Sequence, residues 1–160
     1  MKYAAIFTVI LLIASLIGVG YLYLTANVTV EAVSVTAVEA SAQADLFEDL
    51  RLQQEEHRVL GTSYVSTPLG DVSNYQFYNY MVRLKNNCFV TADMVEVQVT
   101  PMDGDVLQIG DSTAYALPAR TTGDIFATIL TDVHMHAVRE LNVTYYMWGV
   151  PFTIKTAYGQ

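Results

Sequence analysis

Apolar residues run unbroken along the first part of the chain and alternate with polar ones along most of the rest. Tyr3–Leu24 is a run of 22 residues with no charge, Asn, Gln or Pro. At about 1.5 Å of rise per residue it reaches roughly 33 Å as a helix, enough for a bilayer core of roughly 30 Å. After it the period shortens to two. Val28, Val30, Val33 and Val35 mark a first strand with a slip in phase near Glu31-Ala32, read as a bulge. Residues 41–58 then break the alternation: they are rich in Ala, Leu, Gln and Glu and lack Gly and Pro. Leu46, Phe47 and Leu50 are spaced for one helical face, and Asp45 with Glu48 has capping-box spacing, so a short amphipathic helix is expected here. Gly61 is expected to end it, and its apolar stripe to pack on an end or edge of the sheet.

From Gly61 onward the pattern predicts strands separated by Gly, Asp, Asn and Pro turns. A short one covers 61–66. In 75–85, Tyr78, Tyr80, Val82 and Leu84 share one face and Asn79, Arg83 and Lys85 the other, until Asn86-Asn87 interrupts. In 89–100, Val95, Val97 and Val99 oppose Glu96, Gln98 and Thr100. Segments 106–109, 113–117 and the apolar 124–131 follow. In 141–148, Leu141, Val143, Tyr145 and Met147 oppose Asn142, Thr144, Tyr146 and Trp148. Gly149-Val150-Pro151 turns the chain into a last strand at 152–157. Seven to nine short strands with such turns predict a mainly β chain: an immunoglobulin-like antiparallel β-sandwich behind one transmembrane helix and one short amphipathic helix. The expected organisation is an anchor over 1–26 and an extracytoplasmic domain over 27–160, with the helical insertion near 41–58.

Charge sets the direction of the anchor. Lys2 precedes the apolar run and the next basic residue is Arg51, so the amino terminus is expected in the cytoplasm and the domain outside the cell membrane. Tyr3, Tyr21 and Tyr23 suit the two interfaces. A cleaved signal ending at Gly18-Val19-Gly20 is the competing reading, disfavoured because the apolar run continues to Leu24. Ala14 and Gly18 have small-xxx-small spacing, which membrane helices show by composition alone. The exported part holds sixteen acidic and seven basic residues, a net of −9. Such a domain repels nucleic acid, so no nucleic-acid partner is expected. The only cysteine, Cys88, excludes an internal disulfide and reads as a small buried residue.

The stretches MVRLKNN (81–87), VEVQV (95–99) and ALPARTTGDIFATI (116–129) resemble the late-embryogenesis-abundant type 14 and FxLYD-type sandwich domains. The resemblance covers 75–130. It implies a binding or accessory module without catalysis; the phenylalanine-x-leucine-tyrosine-aspartate signature itself is absent.

Candidate chemistry is sparse. In an extended segment Asp132, His134 and His136 face the same way and offer carboxylate and imidazole ligands to a metal such as zinc. Only two histidines are local, and a polar loop is the plainer reading. Asp103 and Asp105 have spacing suited to calcium, but Asp-Gly-Asp is also ordinary turn chemistry. Tyr146 and Trp148 share a face with Asn142 and Thr144, which makes them the candidates for exposed ligand-binding aromatics, against core or membrane-proximal packing. No nucleophile elbow or paired carboxylates are present and no cofactor is expected. The expected function is a membrane-anchored, non-enzymatic interaction module: lipid along residues 3–24, a protein partner at the cell envelope. The alternatives are a pilin-like filament subunit, whose basic-then-Gly processing site is missing, and a metal protein using Asp132, His134 and His136.

Overall fold

The computed structural model describes residues 2–24, 27–110 and 114–159. The apolar run forms one helix, α1 (Lys2–Leu24), and none of its span is buried against the rest of the protein. Its hydroxyls are satisfied along the helix itself: Thr8 Oγ1 donates to the Ala4 carbonyl at 3.0 Å and Ser15 Oγ to that of Leu12 at 2.8 Å. In hydrocarbon no water offers an alternative partner.

The remaining strands form two antiparallel sheets. The first contains β1 (Val28–Glu39), β3 (Tyr75–Asn86), β7 (Thr122–Asp132), β5 (Asp105–Ile109) and β2 (Gly61–Ser63), in the order β1-β3-β7-β5-β2. The second is β6-β4-β8-β9, built from β6 (Tyr115–Leu117), β4 (Ala92–Val99), β8 (Arg139–Met147) and β9 (Val150–Tyr158). Thus β1-β3-β7-β5 against β4-β8-β9 reproduces the A-B-E-D against C-F-G arrangement of an immunoglobulin-type sandwich. Two short strands are added, β2 outside β5 and β6 outside β4. The expected mainly β architecture is therefore present, including the bulge, which falls between Val30 and Ala32. Of the strand expected over 113–117, Tyr115–Leu117 forms; Thr113, like Asp111 of the preceding turn, lies outside the described residues.

The alternation explains the core. Tyr78, Tyr80, Val82 and Leu84 from β3 and Ile125, Ala127 and Ile129 from β7 face Val95, Val97 and Val99 from β4. Leu141, Val143, Tyr145 and Met147 from β8 complete the layer. Residues between them in sequence point outward, where Arg83 pairs with its register partner Asp124 at 2.7 and 2.9 Å.

A second core lies on the outer face of the first sheet. A 3-10 turn (Ala40–Gln43) leads into α2 (Ala44–Glu55), which lays Phe47 and Leu50 over Phe77, Leu107 and Leu130. The helix thus covers a sheet face rather than an end or edge. Burying a side chain of this size contributes about 2–3 kcal/mol, which places β5 between two apolar layers and buries Asp105–Gln108 throughout.

Two expectations about α2 are corrected. Asp45 does not cap it: the N-cap is Gln43, with no side-chain bond, and Glu48 pairs with Arg51 instead. The helix also stops well before Gly61. The His57 N–H donates to the Gln54 carbonyl and the Arg58 N–H to that of Gln53, the two bonds of a Schellman ending. His57 takes the left-handed position, at φ 55°. Gly61 serves a different end, since β2 pairs with β5 so closely there that a Cβ would lie 2.1 Å from the Gln108 carbonyl oxygen.

Candidate functional site

The far end of the sandwich, away from α1, carries a buried polar cluster that sequence reasoning missed. Arg139 opens β8 and Asp105 opens β5, so one belongs to each sheet. Both are buried, at 1% and 2% exposure. Arg139 Nε donates to Asp105 Oδ2 at 3.0 Å and Nη2 to Oδ1 at 2.7 Å. Nη1 donates to the carbonyls of His136 and Val138, and Asp105 Oδ2 also accepts the Met102 N–H. Burial opposes the guanidinium's charge; the hydrogen bonds and charge of Asp105 more than offset it, holding Arg139 above the ordinary arginine range. With both carboxylate oxygens on Arg139, Asp105 is structural, not a calcium ligand paired with Asp103.

Asp132, His134 and His136 lie beside this cluster, and the geometry differs from the extended segment expected. The chain turns: Asp132 Oδ1 accepts the His134 N–H at 2.8 Å, and the Asp132 carbonyl accepts the Met135 N–H at 3.0 Å. Period-two convergence is lost in a turn, and His134 and His136 are exposed. Among the described residues no three His, Cys, Asp or Glu side chains converge on one point. The loop is clamped from β3 instead. Gln76 Nε2 reaches the Val133 and Met135 carbonyls, Tyr78 Oη the Met135 carbonyl, and Tyr80 Oη the Ala137 carbonyl.

A third polar side chain bridges the sheets at one side. Gln108 of β5 accepts the Val99 N–H at 2.9 Å and donates to the Val97 carbonyl at 2.8 Å. The Tyr64 hydroxyl lies 3.2 Å from the Val99 carbonyl oxygen and 3.1 Å from Gln108 Oε1, with one proton to share between them. These side chains occupy the flank of β4 beyond the reach of β6, which pairs only with Ala92 and Val95. Burial, then the charge of Asp105, pushes the Tyr64 hydroxyl up to about 12.

The near end, where α1 meets the sandwich, holds the other sequence candidates. Tyr146 is half-buried on the outer face of β8, while Trp148 lies beyond the strand in the β8–β9 turn and is 48% exposed. Its exposure comes from the turn and not from the strand face it was expected to share. The Tyr23 ring of α1 packs 6.2 Å from that of Trp148 and 6.1 Å from Phe152, which in turn stacks on Tyr145 at 5.5 Å. Phe89 is 68% exposed with the Arg120 guanidinium 4.1 Å over its ring. Cys88 is buried as expected, and its sulfur accepts the Asn27 N–H at 2.8 Å.

Behind these tips Asn86 acts as a latch. Its buried amide nitrogen shares two protons among the Val90, Leu117 and Pro118 carbonyls, at 2.8, 3.0 and 3.2 Å, and its Oδ1 accepts the Cys88 N–H. The β3–β4 turn and the end of β6 are thereby tied together. Asn142 likewise spends its amide on Thr100 Oγ1 at 3.0 Å.

No family model matches the chain, and a search of curated proteins finds no significantly similar sequence.

Proposed function

We propose that this protein is a single-pass, membrane-anchored interaction module, without catalytic activity, that holds its sandwich outside the cell membrane to bind a protein partner. The observation that carries the reading is the continuity of α1 with β1. An apolar helix of membrane-spanning length, exposed along its whole span, leads within a few residues into the outermost strand of the five-stranded sheet. The cytoplasmic amino terminus rests on Lys2 standing before the span and all sixteen acidic residues standing after it.

The strand most suited to receive a partner is β1. Its sheet edge is twelve residues long, and from Ala32 to Glu39 its register is regular. The other outer strands are guarded in the usual ways: β2 and β6 are three residues long, and β9 carries Pro151 and Lys155. A partner strand laid along β1 would gain main-chain hydrogen bonds without reshaping the domain. The resemblance of 75–130 to the type 14 and FxLYD-type domains, in which a strand ends in an Asn as β3 does at Asn86, supports the same accessory role.

Photocrosslinking in native membranes tests this. A crosslinker placed at Ser34 or Thr36 is expected to capture one partner species, and one at Lys155 in β9 is not. Protease added outside intact cells is expected to degrade the domain and leave a membrane-embedded amino-terminal fragment. A domain protected from outside protease, or β1 positions that capture nothing, would overturn the reading.

A further inference from the structure

We infer that the near end of the sandwich is itself a lipid-contact surface, an apron of Trp148, Val150 and Phe89 that lies in the headgroup region around the exit of α1. The inference rests on the anchor reading above and extends it from the helix to the folded domain.

Depth is the first argument. Each interfacial layer of a bilayer is roughly 5–8 Å thick, and tyrosines near helix ends settle there. Tyr23 is the penultimate residue of α1 and its ring centroid lies 6.2 Å from that of Trp148. With Tyr23 in its interface, Trp148 lies in the same layer or at its rim.

Charge is the second. The near end is assembled from residues 27–30, 86–92, 117–123 and 145–154. They are joined by the pairs Val28↔Asn86, Ala92↔Leu117 and Tyr145↔Phe152 and by the Asn86 N–H, which donates to the Thr121 carbonyl at 2.9 Å. In a chain with 16 acidic residues these four segments contain none, and Arg120 is their single charge. The nearest acids border these segments: Glu31, paired with Lys85 at 3.4 Å, Asp124, paired with Arg83 at 2.7 Å, and Asp93, in register with Tyr146 of β8. Acidic side chains would be repelled by phosphates and costly to bring against lipid; a guanidinium over an aromatic ring suits that boundary.

Conformation is the third. Met147 pairs with Val150, so the turn has two residues, and both have positive φ: 52° at Trp148 and 77° at Gly149. That is the signature of a type I′ turn, whose first position favours Asn, Asp or Gly. A tryptophan there is strained for a bulky side chain and exposed to water. Arg120, at φ 60°, shows the same departure under the Phe89 ring. Local folding preference does not account for either residue; an amphipathic indole at a headgroup boundary does.

Trp148 is the only tryptophan of the chain, so its emission reports this site alone. The full-length protein is reconstituted into phosphatidylcholine vesicles carrying bromines either high or low on the acyl chains, and vesicle flotation is read in parallel. The expected result is flotation with blue-shifted emission quenched by the high bromines, and weaker quenching in the Phe89→Glu, Val150→Glu double variant. Flotation with unquenched emission overturns the inference and leaves the anchor standing; if that emission is still blue-shifted, a protein covers Trp148 instead of lipid. Quenching that ignores the double variant assigns the contact to α1 alone and also overturns it. Protein that fails to float removes the anchor and the apron together.

Discussion

Asp105 and Arg139, 34 positions apart, close a two-pronged ion pair inside the sandwich at 2.7 and 3.0 Å, one residue from each sheet. Neither charge has water to fall back on. Removing one partner of such a pair typically costs about 3–5 kcal/mol, because the other charge is left buried alone. Arg139→Met is therefore expected to lower the stability by that amount. Asp105→Leu with Arg139→Met is expected to recover most of it. Urea unfolding of the full chain in detergent, followed by circular dichroism, measures both; a double variant no better than the single one would refute the account.

Asn86 binds four backbone groups with one amide. Truncation leaves several of them buried and unpaired, each costing about 1–3 kcal/mol. Asn86→Ala is expected to destabilise by about 3 kcal/mol, and Asn86→Asp by at least as much, since a carboxylate would face three carbonyls. The same unfolding assay checks the order.

Two exposed positions should gain stability on losing their side chain. His57 and Trp148 both hold the left-handed conformation without being glycine. His57→Gly and Trp148→Asn are each expected to add about 0.5–1 kcal/mol. For Trp148 the gain in folding should accompany the loss of vesicle contact, separating conformational preference from function.

Alkali should unfold the domain through its buried phenols. Burial raises Tyr64 to about 12, holds Tyr80 higher still, and moves Tyr145 upward as well. Their unfolded counterparts ionise near pH 10. The stabilisation is complete below about pH 10 and is lost as pH rises toward and beyond the folded-state values. Tyrosinate absorbance and circular dichroism are expected to change together in this window. Tyr80→Phe, which removes the bond to the Ala137 carbonyl, should shift the profile toward that of the remaining phenols.

Much of the architecture was legible because alternation reports which face of a strand is buried. Tyr78 through Leu84, Val95 through Val99 and Leu141 through Met147 all point inward as their spacing requires. The helical insertion was visible in composition, whereas its ends were not. The Schellman ending depends on backbone conformation at His57, a residue type with no strong preference for it, and the capping-box spacing at Asp45 and Glu48 was coincidental. Asp105 read as turn chemistry and Arg139 drew no reading, because a pair closed between sheets leaves no local period. Asn86 looked like a strand breaker; its role needs partners 31 and 32 positions away, at Leu117 and Pro118. The histidines illustrate the opposite error, since even spacing suggests a shared face only where the chain stays extended. Trp148 was singled out for exposure on a strand argument, while the turn that exposes it depends on two positive φ angles.

Gln108 offers a last consequence. On that flank of β4 the neighbour is an amide on three rotatable bonds, not a length of main chain. Such a latch can swing aside and return without any ladder being unzipped. Solvent deuterium should therefore reach the Val99 nitrogen far sooner than that of Val143 in the middle of β8, giving the domain a place to breathe while its layers stay shut.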